Sequence, residues 1–223
     1  MTSCPVDIVL SLCREETSRL LRTMRSHHVM PAYAHPWGSA WAYLTLLRSP
    51  RPMVLLDVPD GAAMDELEQR VHVLSKFSSV VVLTPRHTDV VAVLRAGAIN
   101  ALPRDTSPRE LASRIAAERR WLGFSAPRLR PRSPALPDPE ITCHQLSQRV
   151  LFEVLSTTRR EWCCHELCLL LGTPLEPMSR RALQGRMARL DERVRRRGVS
   201  IGIVSQWGRT VYTGLHEAAP RTL

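Results

Sequence analysis

Residues 179–214 read SRRALQGRMARLDERVRRRGVSIGIVSQWGRTVYTG, an arginine-studded helix followed by a short β-hairpin. Leu183, Met187, Leu190 and Val194 recur at steps of four, three and four, so they stack on one face of a 3.6-period helix and can dock on a core. Projection at about 100° per residue puts Arg181, Gly185, Ala188 and Glu192 opposite that stripe, with Gln184, Arg189, Arg195 and Arg196 flanking. Small residues between long donors suit a groove: Gly185 and Ala188 let the backbone approach, while Arg and Gln carry the bidentate geometries that pair with guanine and adenine. Gly198 stops the helix.

Charge is concentrated in the same region. Residues 1–122 carry 15 Lys+Arg against 12 Asp+Glu, whereas residues 141–223 carry 13 against 7. Eight arginines lie between 180 and 197, a sharper footprint for phosphate than the overall net charge of +10. Part of the basicity is compositional, because Lys76 is the single lysine among 31 basic residues, which looks like the codon bias of a GC-rich bacterial genome. At 223 residues the chain has room for two small domains, each burying its own core. The apolar run at 6–13 is too short for a secretory signal and is followed by charge. No run approaches the roughly 20 apolar residues that span a bilayer. The expectation is a cytoplasmic protein with its six cysteines reduced.

The first 122 residues alternate short apolar strands with helical segments. Strands are expected at 6–12, 29–34, 52–57, 79–84 and 98–102, with helices at 15–27, 37–48, 62–76, 87–96 and 107–122, the last started by Ser107-Pro108. Five βα units imply a parallel sheet covered on both faces. Sites in such sheets collect beyond the carboxyl ends of the strands, so Asp57 and Thr84 would share one rim. Residues 123–140 hold five prolines and no periodicity, and read as a linker whose Arg128, Arg130 and Arg132 are mainly solvated. Helices are then expected at about 144–157 and 163–172, ahead of the helix and hairpin quoted above, with a flexible tail at 216–223.

RPMVLLDVPDG at 51–61, VVVLTPR at 80–86 and AGAINALPRDTSPRELASRI at 96–115 resemble the receiver domains of bacterial two-component response regulators, and the C-terminal part resembles the winged helix of the OmpR type. The resemblance implies an α/β architecture: a flavodoxin-like (βα)5 receiver-like domain at 1–122, the proline-rich linker at 123–140, and a small winged helix-turn-helix domain at 141–215. It puts Asp57 at the phospho-acceptor position, Thr84 where a hydroxyl meets the phosphoryl group, and Arg104 where the family has lysine. The rim departs from the family in four ways. Leu12-Cys13-Arg14 stand where a carboxylate pair would hold Mg²⁺, and acids arrive only at Glu15 and Glu16, a poor oxygen set for that ion. Arg104 is a planar fork rather than a compact ammonium and can pair with Asp57 permanently. The loop after Asp57 runs directly into Pro59-Asp60-Gly61, and Ala101 replaces a switching aromatic. The expectation is therefore an atypical receiver without cofactor, not driven by Mg²⁺-dependent phosphorylation, with a phosphorylation switch at Asp57 as the alternative. The region 87–122 matches the part through which related regulators form homodimers, although Val90, Val93, Leu94 and Leu111 serve equally as core.

In the C-terminal unit Arg181, Met187, Arg189 and Leu190 fall in the family's recognition-helix pattern, and SQWGRTVY at 205–212 resembles its wing. Asp191 replaces an arginine of that pattern. Arg181, Gln184 and Arg189 are the candidates for base edges, and Arg180, Arg186, Arg193, Arg195 and Arg196 for phosphates or solvent. Arg209 at the hairpin tip suits a minor groove, and Trp207 either stacks near sugar or packs as core.

WCCHELC at 162–168 is the chief rival motif, since Cys163, Cys164, His165 and Cys168 offer soft metal ligands, with Cys143 and His144 as possible completions. Adjacent cysteines point apart on a helix, and small buried thiols fit a structural account better. No P-loop, dinucleotide fingerprint, nucleophile elbow or His-Glu-x-x-His run is present, so an enzyme is not expected. The expectation is a bacterial transcription regulator binding double-stranded promoter DNA as a homodimer. RNA polymerase and either a sensor kinase or a small-molecule ligand are its further implied partners. The rival is an interaction or ligand-sensing protein with only nonspecific affinity for DNA.

Overall fold

The computed structural model describes residues 6–25, 34–125, 145–158, 160–206 and 209–217. The N-terminal part runs β1 (Ile8–Ser11), α1 (Arg14–Arg25), β2 (Ala34–Pro36), α2 (Ala40–Arg48), β3 (Met53–Asp57), α3 (Met64–Ser75), β4 (Ser79–Thr84), α4 (Val90–Arg95), β5 (Asn100–Pro103) and α5 (Pro108–Ser125). All four strand pairings are parallel, in the order β2-β1-β3-β4-β5. That is the flavodoxin-like order, with its switch point between β1 and β3. Period-two alternation divides the strands between two cores: Ile8, Leu10, Val54, Leu56, Val80 and Val82 face α2 and α3, while Val9, Met53, Leu55, Val81 and Leu83 face Leu21 of α1 and Leu111 and Ile115 of α5. Burial on both faces is why these strands read as nearly continuous apolar runs.

The C-terminal part runs α6 (Leu146–Thr157), β6 (Trp162–Cys163), α7 (Cys164–Leu170), α8 (Arg180–Arg195), β7 (Val199–Gln206) and β8 (Arg209–Glu217), the strands forming an antiparallel sheet ordered β6-β8-β7. Leu183, Met187, Leu190 and Val194 of α8 are buried, as their spacing requires. The Ser179 hydroxyl caps α8 by accepting from the Ala182 amide at 3.2 Å, and Gly198, at φ +73°, turns the chain into β7. Asp191 ties helix to hairpin: its carboxylate accepts from the Ile201 amide at 3.1 Å and pairs with Arg195 at 2.8 Å.

Several boundaries move. β2 occupies 34–36, where Ala34 pairs with Val9; residues 29–33 of the expected strand lie outside the described residues. α5 continues through Ser125, since Trp121-Leu122-Gly123-Phe124 contains no proline to interrupt the helix. β8 carries on to Glu217, with His216 opposite Ser200, so the ladder takes up the first two residues of the expected tail. The first three residues of the expected linker at 123–140 thus belong to α5, and residues 126–144 lie outside the described residues. No described helix is long and apolar enough to cross a membrane.

The two parts do not keep separate cores. The α2/α3 face of the sheet and the interior of α6, α7 and α8 form one continuous cluster. Phe77 bridges them, with its ring 6.2 Å from Tyr43 and 6.3 Å from Trp162. Around this seam Lys76 Nζ lies 2.5 Å from the Glu166 carboxylate, 2.9 Å from the Glu161 carbonyl and 4.9 Å from the centre of the Trp162 ring. His72 Nε2 approaches the same Glu166 oxygen at 3.2 Å. Burial pushes the Glu166 carboxyl up, but the Lys76 ammonium and the Cys163 amide outweigh it and hold the carboxyl below its usual range. A depressed folded value stabilises the fold above the ordinary carboxylate range, and that contribution is lost as pH falls through it. Lys76→Met is therefore expected to flatten the acid limb of a stability profile measured by urea unfolding between pH 7 and pH 3; an unchanged limb contradicts this pairing.

Candidate functional site

On the rim at the carboxyl ends of the strands, the Asp57 carboxylate is 1% exposed and fully engaged. Arg104, carried past the end of β5, donates from Nε to Oδ1 at 2.9 Å and from Nη2 to Oδ2 at 3.2 Å, while Nη1 reaches Glu16 at 2.6 Å. The Thr17 hydroxyl donates to Asp57 Oδ2 at 2.6 Å and shares a 2.5 Å hydrogen bond with Ser11. Burial alone would lower the Arg104 pKa, but the hydrogen bonds and charges of Asp57 and then Glu16 raise it, so the guanidinium stays charged. Two carboxylates thus close on one planar cation. Thr84 is buried on the same rim, yet its hydroxyl donates to the Leu102 carbonyl at 3.4 Å rather than to Asp57.

This donor set does not fit Mg²⁺. The ion wants several hard oxygens in near-octahedral array, but both carboxylates face a guanidinium and the chain beside them is Leu12-Cys13. Glu16, one of the two acids noted after the first strand, reaches Arg104, and Thr17 is the additional partner of Asp57. The signal for Thr17 was its place one turn into α1, directly after the strand whose end adjoins Asp57.

The second surface is the outer side of α8. Arg180, Arg181, Gln184 and Arg189 are exposed, and their side chains make no ion pair or hydrogen bond to another described residue. Gly185 and Ala188 leave the helix backbone shallow between them; Arg189 Nη1 lies 3.7 Å from where a Gly185 Cβ would stand. The other arginines are occupied. Arg195 and Arg196 pair with Asp191 and Glu192 one turn back but remain exposed. Arg186 leans on the Met178 sulfur at 2.8 Å. Arg193 departs from its expected role: it turns inward to the side-chain oxygens of Gln145 and, at 2.9 Å, Gln148, because Gln148 is buried on α6 beneath it. Arg193→Ala is accordingly expected to cost about 1–3 kcal/mol in urea unfolding, with no change in the salt slope of duplex binding; a slope reduced by about one would put Arg193 on a phosphate after all.

Arg209 is exposed where the hairpin pairs it with Gln206; Trp207 lies outside the described residues. In the rival thiol motif, Cys163 caps α7, accepting from the Glu166 amide at 3.4 Å while Glu166 accepts from the Cys163 amide at 2.8 Å. Burial first, then neighbouring Cys164, pushes the Cys168 thiol up to about 12, which makes it a poor nucleophile. His165 bonds Gln69 of α3 at 2.9 Å, and Cys143 and His144 lie outside the described residues. No group of three His, Cys, Asp or Glu side chains converges as a metal set among the described residues.

No known family model matches the sequence, and no curated protein does either. Among solved structures, one similar chain is described as belonging to a novel family of redox sensors in the streptococci that evolved from two-component response regulators. It is 15% identical, the match covers 96% of this chain and 100% of that one, and the TM-score is 0.35.

Proposed function

We propose that the chain is a sequence-specific, DNA-binding transcription regulator of bacterial type, built from an atypical receiver-like unit and a winged helix-turn-helix unit of the OmpR kind. The observation that carries the reading is the division of α8. Its apolar stripe is spent on the core, and its opposite side offers Arg180, Arg181, Gln184 and Arg189, all exposed, around the small residues Gly185 and Ala188. In this reading α6, β6, α7 and α8 form the helical part, the β7–β8 hairpin is the wing, and Arg209 reaches the adjoining minor groove. Arg195 and Arg196 exchange their intrahelical carboxylates for phosphates on binding. A homodimer on repeated half-sites about one helical turn apart lets two such helices reach one side of the duplex.

The test is selection of duplexes from a randomised pool by the full chain, followed by affinities for a selected and a random duplex at physiological salt. The selected duplex is expected to bind at least about a thousandfold more tightly. Equal affinities that fall together with salt sink the reading and leave nonspecific attraction in its place.

The receiver-like unit works in this proposal without acyl phosphate, because Arg104 holds both Asp57 oxygens. Incubation with a small phosphodonor and Mg²⁺ is expected to leave Asp57 unlabelled. A stoichiometric, base-labile label lost in Asp57→Ala would restore the phosphorylation switch.

A further inference from the structure

Two side chains of the α/β unit reach across the seam to the segment that carries α8. The indole of Trp37, 2% exposed, donates from Nε1 at 2.7 Å to the Leu169 carbonyl on the last turn of α7, which also accepts from the Gly172 amide at 3.3 Å. Arg70, also 2% exposed, donates from Nη2 to the Pro174 carbonyl at 2.8 Å, and its guanidinium lies 4.9 Å from the Trp37 ring centre. Between these anchors the backbones nearly touch: a Cβ on Gly38 would stand 1.9 Å from the Gly172 carbonyl oxygen, and Gly38 itself sits at φ +84°. Among the described residues the connection from α7 to α8 is otherwise held from its own side, by Thr173 and Glu176, by the Met178 amide on the Cys168 carbonyl at 2.8 Å and by Arg186 on the Met178 sulfur.

Arg70 is an expensive way to fill that space. Its Nη1 is buried without a hydrogen-bond partner among the described residues, and its one carboxylate neighbour, Glu66, stands 3.7 Å away. An apolar side chain of similar length would avoid the unpaired donor. What methionine would not supply is the bond to Pro174, which fixes the height of the turn that leads into α8.

We propose that Trp37 and Arg70 are positioning residues for α8, through which the α/β unit clamps the end of α7 and the 172–178 turn and so sets the pose in which the helix meets DNA. The proposal rests on the reading of α8 as the DNA-contacting helix. It makes the receiver-like unit a fixed part of the reading apparatus, with no swing between the two units.

The full chain, Trp37→Phe, Arg70→Met and a control, Leu111→Ala in the core behind the sheet, are compared by amide hydrogen exchange, thermal unfolding and binding to a selected and a random duplex. Both seam variants are expected to speed exchange at 172–178 about tenfold, the effect of one lost buried hydrogen bond. Both are expected to lower affinity for the selected duplex up to the same factor, with the random duplex unaffected. Arg70→Met should do so with an unlowered melting temperature, which a merely structural arginine would not. Unchanged exchange at 172–178 in both variants overturns the proposal, as does an equal effect from Leu111→Ala. If exchange responds but the wild-type chain prefers no selected duplex, the clamp stands and the DNA reading falls.

Discussion

Replacing Arg104 by methionine is expected to destabilise the chain by about 3–5 kcal/mol in urea unfolding, the cost of leaving a buried carboxylate without its cation. Asp57 is 1% exposed at the end of β3, and its carboxylate takes three side-chain hydrogen bonds, two from Arg104 and one from Thr17. Thr17 alone then faces it with a single hydroxyl. Asp57→Asn in the Arg104→Met background should recover most of the loss, because a neutral amide needs no counter-charge, and the double-mutant cycle should show strong coupling. Arg104→Lys should fall between, since an ammonium cannot hold both carboxylate oxygens and Glu16 at once. A loss below about 1 kcal/mol for Arg104→Met would mean that the pair is an incidental surface contact.

The second large effect belongs to α8. Arg181→Ala is expected to weaken binding to a selected duplex by about 1–3 kcal/mol and to relax the preference at one base position, and adding Arg189→Ala should bring the total to about 2–6 kcal/mol. Neither side chain is paired within the described residues, so their removal should leave the unfolding free energy within about 0.5 kcal/mol of wild type. Affinity for random duplex should fall only by the salt-dependent share of one phosphate contact for each residue that doubles as an anchor. Equal losses on selected and random duplexes would move both arginines from base reading to backbone anchoring.

Much of this architecture was legible in the sequence because periodicity reports burial. Val80-Val81-Val82-Leu83 is apolar throughout since β4 is covered on both faces, and the four, three, four spacing in α8 marks the stripe that docks. The Arg104–Asp57 pair was legible from chemistry, as a guanidinium in place of an ammonium beside a lone carboxylate. Pairings that depend on three-dimensional approach were not. Thr17 lies 40 residues from Asp57, and only its place one turn into α1, after the strand that pairs with β3, points to its hydroxyl as a partner. Arg193 looked like its neighbours along the chain, and only the position of Gln148 on α6 turns it inward. The shared core was hidden for the same reason: nothing in the segments that hold Trp37, Phe77 and Trp162 marks the Phe77–Trp162 ring contact or the Trp37 hydrogen bond to Leu169, which are facts of docking.

The most direct test is a structure of the full chain bound to a selected duplex. The predicted result places the first half of α8 in the major groove, with Arg181, Gln184 and Arg189 on base edges, Arg209 at the neighbouring minor groove, and the Trp37 and Arg70 anchors unchanged. A complex in which the outer side of α8 stays in solvent, or is covered by protein while the duplex lies elsewhere, would contradict the account.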